Sequence, residues 1–543
     1  MLLALICFFV LLIILSINEK LQDKKQFEKI LNKLNEEYKG APMRSPDFDL
    51  LKKGVNNSDF YLDDITWNDL DLDEVFKTIN YTHSGIGEET LYNWLRNPCL
   101  EKSELNKREK LIDFFYNDNS RAFTARGLFY KLSYNNNISI NEFTSKLGSF
   151  KAKPPISDII LDLIILIGII MLFFYPLEAM LLILGGFIFQ IFTYFGKKKE
   201  ILPFLSTFSY LIRLLICAKG LEAIIDDNGP INKSDYQKLL DKTFPLTKNG
   251  TVIFSAGKVS TSSNPFSLVF DYIRMGFHLD YICFYFKLSR LQECLSELLI
   301  LLKLVGNIEA ALAISDYRRG HKYCLPNITP KDDYRLKINA VVHPLIDNAI
   351  PNDICIKDKG LLLTGSNASG KSTFLKTVSL AVIFAQTINT VLADSYEGLF
   401  LMPYTSMSLR DDILMGDSYY MREIKSLKRI IDAPQKNGCY GFVCLDELLK
   451  GTNTKERIAA DSSVLEYLVK NNIVLSATHD IELTDLLKNS FDNYHFEEEF
   501  DNNDISFSYL LKEGPADTSN AITLLSVTGY PDEVVKNAKE KLS

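Results

Sequence analysis

The chain has 543 residues, too many for one ordinary hydrophobic core, so two or three folded units are expected. With 68 acidic against 60 basic side chains the formal charge is −8, which excludes a protein that coats nucleic acid by bulk electrostatics, because phosphate contacts need clustered Lys and Arg. Nine cysteines, scattered and without a C-x-x-C pair, exclude a disulfide framework and suit a reducing, cytosolic setting.

Residues Met1 to Ile17 carry no charged side chain and approach the length of a spanning helix. A cleaved signal peptide would begin with basic residues and end in small ones. This run begins apolar and ends Ser16-Ile17-Asn18-Glu19, so an uncleaved transmembrane anchor over 1–17 is expected. From 18 to 155 the spacing of apolar residues is helical, as in Gln26 to Tyr38 and Glu88 to Leu95, the latter closed by Asn97-Pro98.

From Ile156 to Phe195 the chain is again almost continuously apolar, broken by Pro176 and Glu178. Two helices fit, about Ser157 to Tyr175 and about Leu177 to Phe195, giving a transmembrane hairpin over 156–196. The competing reading is a buried hairpin in a soluble core. Lys20, Lys24 and Lys25, then Lys151 and Lys153, then Lys197 to Lys199 flank the apolar runs, which places the soluble portions on the cytoplasmic side of the lipid bilayer. From 197 to 330 the pattern is helical once more, including Leu288 to Ile314. Simple helix packing accounts for these stripes, and no chemistry is visible in them.

Chemistry appears in 331–543. The apolar strand Gly360 to Thr364 runs into GSNASGKST, Gly365 to Thr373, and then into a helical run. Gly365, Gly370, Lys371 and Ser372 fill every fixed position of G-x-x-x-x-G-K-[ST]. Glycines let backbone N–H groups curl round phosphates, Lys371 reaches the β/γ-phosphates of ATP, and the Ser372 hydroxyl ligates Mg²⁺. A second apolar strand, Gly441 to Leu445, ends in Asp446-Glu447. There Asp446 would help hold Mg²⁺ and Glu447 would orient or deprotonate the attacking water. A third strand, Ile473 to Thr478, delivers His479 to the same sheet end, where ligands of open α/β sheets bind. An adjacent acid pair alone is usually a solvated strand end, and a lone His is usually structural. Their order after the P-loop makes them site candidates.

These segments resemble the MutS family of DNA-structure-sensing ATPases. GSNASGKST is similar to the family's P-loop, with Asn367 as the polar member near the γ-phosphate and Thr373 closing the loop. GDSYYMREI, Gly416 to Ile424, resembles the signature segment that reaches a partner's ATP, with Ser418 as the contacting hydroxyl. LDELLKGTNT and ATHDIELTDL resemble the Walker B and histidine motifs, and HPLIDNAIPNDI, His343 to Ile354, resembles a lead-in whose Ile350 would lie beside adenine. The stretch from Val75 to Phe115 is similar to the start of the family's helical core, and the tail from Tyr509 to its closing helices.

The resemblance implies a P-loop ATPase domain of the ABC/MutS type behind an all-α core or lever region, ATP and Mg²⁺ as cofactors, a homodimer with composite sites, and mismatched or branched DNA as partner. Departures exist: Ala368-Ser369 stand for the usual Met-Gly, Tyr419 for Thr, and Leu449-Lys450 for Gly-Arg. The chain before Val75 is too short for the N-terminal mismatch-reading domain, so that domain is expected to be missing. A membrane-anchored switch acting on protein or lipid partners therefore stands beside a DNA-clasping role. An ABC transporter would show an LSGGQ-like segment and more spans.

Overall fold

The computed structural model describes residues 45–55, 60–134, 154–248, 275–329, 335–366, 369–407, 419–433, 439–501, 504–516 and 530–542, with a few isolated positions between. The expected anchor over 1–17 and the expected helix over 26–38 lie outside the described residues. The chain is mixed α/β with a helical N-terminal region, and it divides into two compact units.

The first unit comprises residues 1–55, 80–92 and 110–316. Among its described residues it is helical, with Asn119–Leu132, Ile156–Met171, Pro176–Leu221, Lys233–Thr243, Leu279–Glu293 and most of Leu295–Gly320 as its main elements. Ile156–Met171 and Pro176–Leu221 pack as a hairpin, tightened where Gly168 faces Leu182 and Ile183. The second helix does not end near Phe195. It runs 46 residues in all, from Pro176 to Leu221, about 69 Å at 1.5 Å per residue. The outer faces stay apolar and uncovered, with Phe173 87%, Leu177 72% and Phe192 83% exposed.

Polar groups of the hairpin gather at its open end. Asp158 takes Lys197 Nζ at 2.5 Å and His278 Nδ1 at 2.6 Å, Gln190 donates to Asp162 at 2.7 Å, and Tyr194 Oη donates to Asp280 at 2.7 Å. Pro176–Lys197 and Leu295–Gly320 are each long and apolar enough to cross a membrane by length and composition, yet their surroundings differ: 17% of the first is buried against 72% of the second. Leu295–Gly320 is a core helix. Its buried Glu309 accepts from the backbone N–H groups of His83 and Ser84 at 2.6 and 2.8 Å, at the start of the helix Gly85–Arg96. Approach there is close because Gly87 has no side chain. A Cβ on it would fall 2.3 Å from the Glu309 carboxyl.

The second unit comprises residues 56–79, 93–109 and 317–543. Its strands are β1 (Asn327–Ile328), β2 (Leu336–Val341), β3 (Asn352–Ile356), β4 (Gly360–Thr364), β5 (Ser395–Gly398), β6 (Leu401–Ser406), β7 (Tyr440–Asp446), β8 (Asn472–Ala477), β9 (Phe491–Asp501) and β10 (Asp504–Glu513). They form a four-stranded sheet, β1-β5-β2-β3, and a six-stranded sheet, β10-β9-β4-β8-β7-β6. In the larger sheet β9, β4, β8, β7 and β6 are parallel and β10 is antiparallel. Buried on both faces, β4, β7 and β8 are uninterrupted apolar runs, as parallel strands require.

The helix Lys371–Thr387 packs on β6, β7 and β8 and is buried over most of its length. The outer strand β6 is covered by the short helix Asp64–Asp69. Asp69 accepts from Thr405 Oγ1 at 2.8 Å and from Met407 N–H at 3.0 Å, so the edge offers few open backbone groups. A second brace is buried Arg318, whose guanidinium forks onto Glu109 at 2.8 and 2.7 Å and donates to Thr390 Oγ1 at 2.8 Å.

Candidate active site

Three parallel strands end beside one another and each hands over polar residues. β4 leads into the glycine loop, β7 into Asp446-Glu447, and β8 into Thr478-His479. Gly365 and Gly370 have φ of 141° and 105°, values that L side chains rarely adopt. A Cβ at Gly365 would meet Ser369 Oγ at 3.1 Å and one at Gly370 would meet the Tyr509 ring at 3.1 Å. Both positions keep the loop narrow, and the helix Lys371–Thr387 starts directly behind Gly370 with its N–H groups facing the loop.

Lys371 folds back along this loop, its Nζ donating to the carbonyls of Gly365 and Ser366 at 2.8 and 2.7 Å. Ser372 Oγ donates to Asp446 Oδ2 at 2.5 Å. The other oxygen, Asp446 Oδ1, is buried with no hydrogen-bond partner among the described residues. Burial pushes the Asp446 carboxyl above its ordinary range, and the Ser372 hydrogen bond offsets part of that. A hydroxyl and a carboxylate in contact, with one carboxylate oxygen unsatisfied, form a hard oxygen donor set that fits Mg²⁺.

Glu447 has φ of 52°, a left-handed conformation uncommon for a residue with a side chain, and its N–H is tied to the Ala477 carbonyl at 2.9 Å. Its carboxylate meets His479 Nε2 at 2.6 Å and Lys450 Nζ at 2.7 Å. The His479 hydrogen bond, with help from Lys450, holds the Glu447 carboxyl down at about 2.

These groups border a cavity of about 580 Å³ lined by Gly370, Lys371, Ser372, Thr373 and Glu447 at one end and by His343, Ile346 and Ile350 at the other. Its size suits a nucleotide-scale ligand. Of the residues expected from sequence, Gly370, Lys371, Ser372, Thr373, Glu447 and Ile350 line it, Gly365 shapes the loop behind it, and Asp446 and His479 reach it through Ser372 and Glu447. Asn367 and Ser418 lie outside the described residues.

Among the lining residues given no site role from sequence are His343, Phe496 and Tyr509. Burial, then the nearby Lys376, lowers His343 to about 4, so the imidazole is neutral at neutral pH. Phe496, in β9 as a strand residue, packs edge-on against Phe374. Tyr509 sits at a register shift between Phe507 and Leu511 with φ of 51°, and Asn352 ties the backbone there, donating to Tyr509 O and accepting from Leu511 N–H. The His343 segment had a local signal in the lead-in His343 to Ile354, and Tyr509 opens the tail that resembles the family's closing helices, with no site role attached.

Residues 361–543 match the family model described as MutS domain V, which takes in the glycine loop, the acid pair and His479. A protein of Thermosipho melanesiensis named DNA mismatch repair protein MutS is 25% identical over 510 residues, 86% of this chain and 61% of the relative. One of the same name from Methanosarcina acetivorans is 23% identical over 582 residues, 90% of this chain and 60% of the relative. The chain is thus similar to MutS-family proteins over most of its length, and residues 361–543 carry the family's domain V. Identity rises to 30% over 269 residues against the Methanococcoides burtonii protein of that name, 47% of this chain and 30% of the relative. The long matches run through the helical region as well as the MutS domain V, and the chain spans less than two thirds of these relatives' own length.

Proposed function

We propose that this chain binds ATP with Mg²⁺ in the crevice at the ends of β4, β7 and β8 and hydrolyses it. One observation carries the reading: the Ser372–Asp446 and Glu447–His479 pairs, drawn from the segments that follow three separate strands, stand beside a nucleotide-sized cavity at the glycine loop. Loop N–H groups and Lys371 take the phosphates once Lys371 leaves the Gly365 and Ser366 carbonyls, and Ile346 and Ile350 offer an apolar wall to the base. Ser372 and Asp446 would hold Mg²⁺, which would supply charge neutralisation to the phosphates. Glu447, steered by His479, orients the attacking water and accepts its proton. Magnesium-dependent phosphate release by the purified chain tests this directly.

The dimer reading follows from the MutS signature: Ser418 of one copy contributes to the ATP site of the second, so the composite site closes only in a homodimer. The hairpin over 156–196, apolar on its exposed faces and closed by polar pairs at its base, supports insertion into a lipid bilayer, with Lys-rich flanks keeping the soluble portions on the cytoplasmic side. Together with the anchor expected over 1–17, this describes a membrane-tethered ATPase. Its relatives' name supports coupling of ATP turnover to mismatched or branched DNA. The charge of −8 favours a second reading, a switch acting on protein or lipid partners. Binding to duplex, mismatched and branched DNA across a salt series separates them. A DNA-clasping protein loses affinity steeply with salt, and no binding at low salt removes DNA from the account.

A further inference from the structure

The turn after Asp446 carries a cation that the hydrolytic chemistry above does not employ. Glu447 and Leu449 have φ of 52° and 49°, two non-glycine residues in the left-handed region within three positions. That double reversal coils the chain back on itself, held by the side chains of Leu448 and Leu449, which are 7% and 5% exposed. The coil lays Lys450 on Glu447, its Nζ 2.7 Å from Oε2, while His479 Nε2 lies 2.6 Å from Oε1. Both carboxylate oxygens are thereby engaged by protein donors.

A carboxylate that activates water needs a lone pair aimed at that water and enough basicity to take its proton. A contacting ammonium occupies that lone pair and keeps water from it. The two partners are not equivalent. His479 is a short side chain with two torsions just past the end of β8, 36% exposed, whereas Lys450 is a long flexible side chain, 45% exposed, that recovers most of its interaction from water on release.

We propose that Lys450 is a positioning residue that restrains hydrolysis: it occupies the outer oxygen of Glu447, and turnover proceeds when this ion pair opens while His479 stays in place. The inference rests on the ATPase reading and adds a brake to it. Bound ATP brings negative charge to the mouth of the crevice and competes for the ammonium, so the site itself supplies a reason for the pair to open.

The test uses the full chain in detergent with ATP and Mg²⁺, measuring nucleotide affinity and single-turnover hydrolysis at saturating ATP for wild type, Lys450→Met and Lys450→Arg. Lys450→Met is expected to raise the hydrolytic rate about three- to tenfold with affinity unchanged, and Lys450→Arg, which can remake the pair, to stay near wild type. A Lys450→Met rate that falls or does not move, or an equal rise in Lys450→Arg, overturns the restraint. If wild type takes up no ATP, the underlying reading fails and the restraint goes with it. If ATP is taken up and Lys450→Met is unmoved, only the restraint is lost.

Discussion

Glu447 is where one side chain decides the chemistry. It differs from glutamine by one oxygen, so Glu447→Gln keeps the cavity and the neighbouring Ser372–Asp446 contact while removing the group proposed to take a proton from water. ATP affinity is expected within about threefold of wild type and hydrolysis to drop about a hundredfold or more, read by binding and phosphate release on the same preparation. Unchanged turnover would move the role of base elsewhere. The positions of Asp446, Glu447 and His479 were legible in sequence because each lies within two residues of the end of a short apolar run that reads as a buried strand behind a P-loop, and parallel strands present their ligands at the C-terminal end. Tyr509 and Phe496 were not, because β9 and β10 bring them in from more than a hundred residues beyond the loop they flank, and nothing local to either marks a site.

Among the helices, composition foretold apolar length but not surroundings. Pro176–Leu221 passes through Lys197, Lys198, Lys199 and Glu200 without a break, because Lys and Glu are good helix formers and charge alone ends no helix. Leu295–Gly320 has the length and apolarity of a span, yet it is a core helix that buries Glu309, Asp316 and Arg318. Burial pushes the Glu309 carboxyl up to about 8 against the hydrogen bonds from Ser84 and His83. Its folded value exceeds its unfolded one, so the stability linked to it is complete below the ordinary carboxylate range and is lost as pH rises towards and through about 8. The thermal midpoint of the detergent-solubilised chain is therefore expected to fall between about pH 5 and about pH 8.5, and Glu309→Gln to flatten that slope. Parallel slopes in both proteins would mean that Glu309 does not change its protonation there.

For the molecule as a whole, the membrane and dimer proposals make separate demands. A hairpin inserted through its apolar faces keeps the chain with liposomes in flotation at about 1 M salt, whereas attachment through Lys flanks alone is released, because the screening length there is only about 3 Å. Release at high salt would restrict the hairpin to a protein contact. A composite site predicts that turnover per chain falls on dilution and that Ser418→Ala slows hydrolysis only at concentrations where the wild type is dimeric. An equal loss at every concentration excludes a contact across subunits.

The hydrolysis, restraint and composite-site proposals depend on the crevice accepting a nucleotide. The most direct measurement is equilibrium binding of ATP, with and without Mg²⁺, to the detergent-solubilised full chain and to Lys371→Ala. The account predicts magnesium-strengthened binding by wild type and a loss of about ten- to a hundredfold in affinity on removing the ammonium that the phosphates attract. Wild-type protein that takes up no ATP, or a Lys371→Ala protein that binds as tightly, would contradict it.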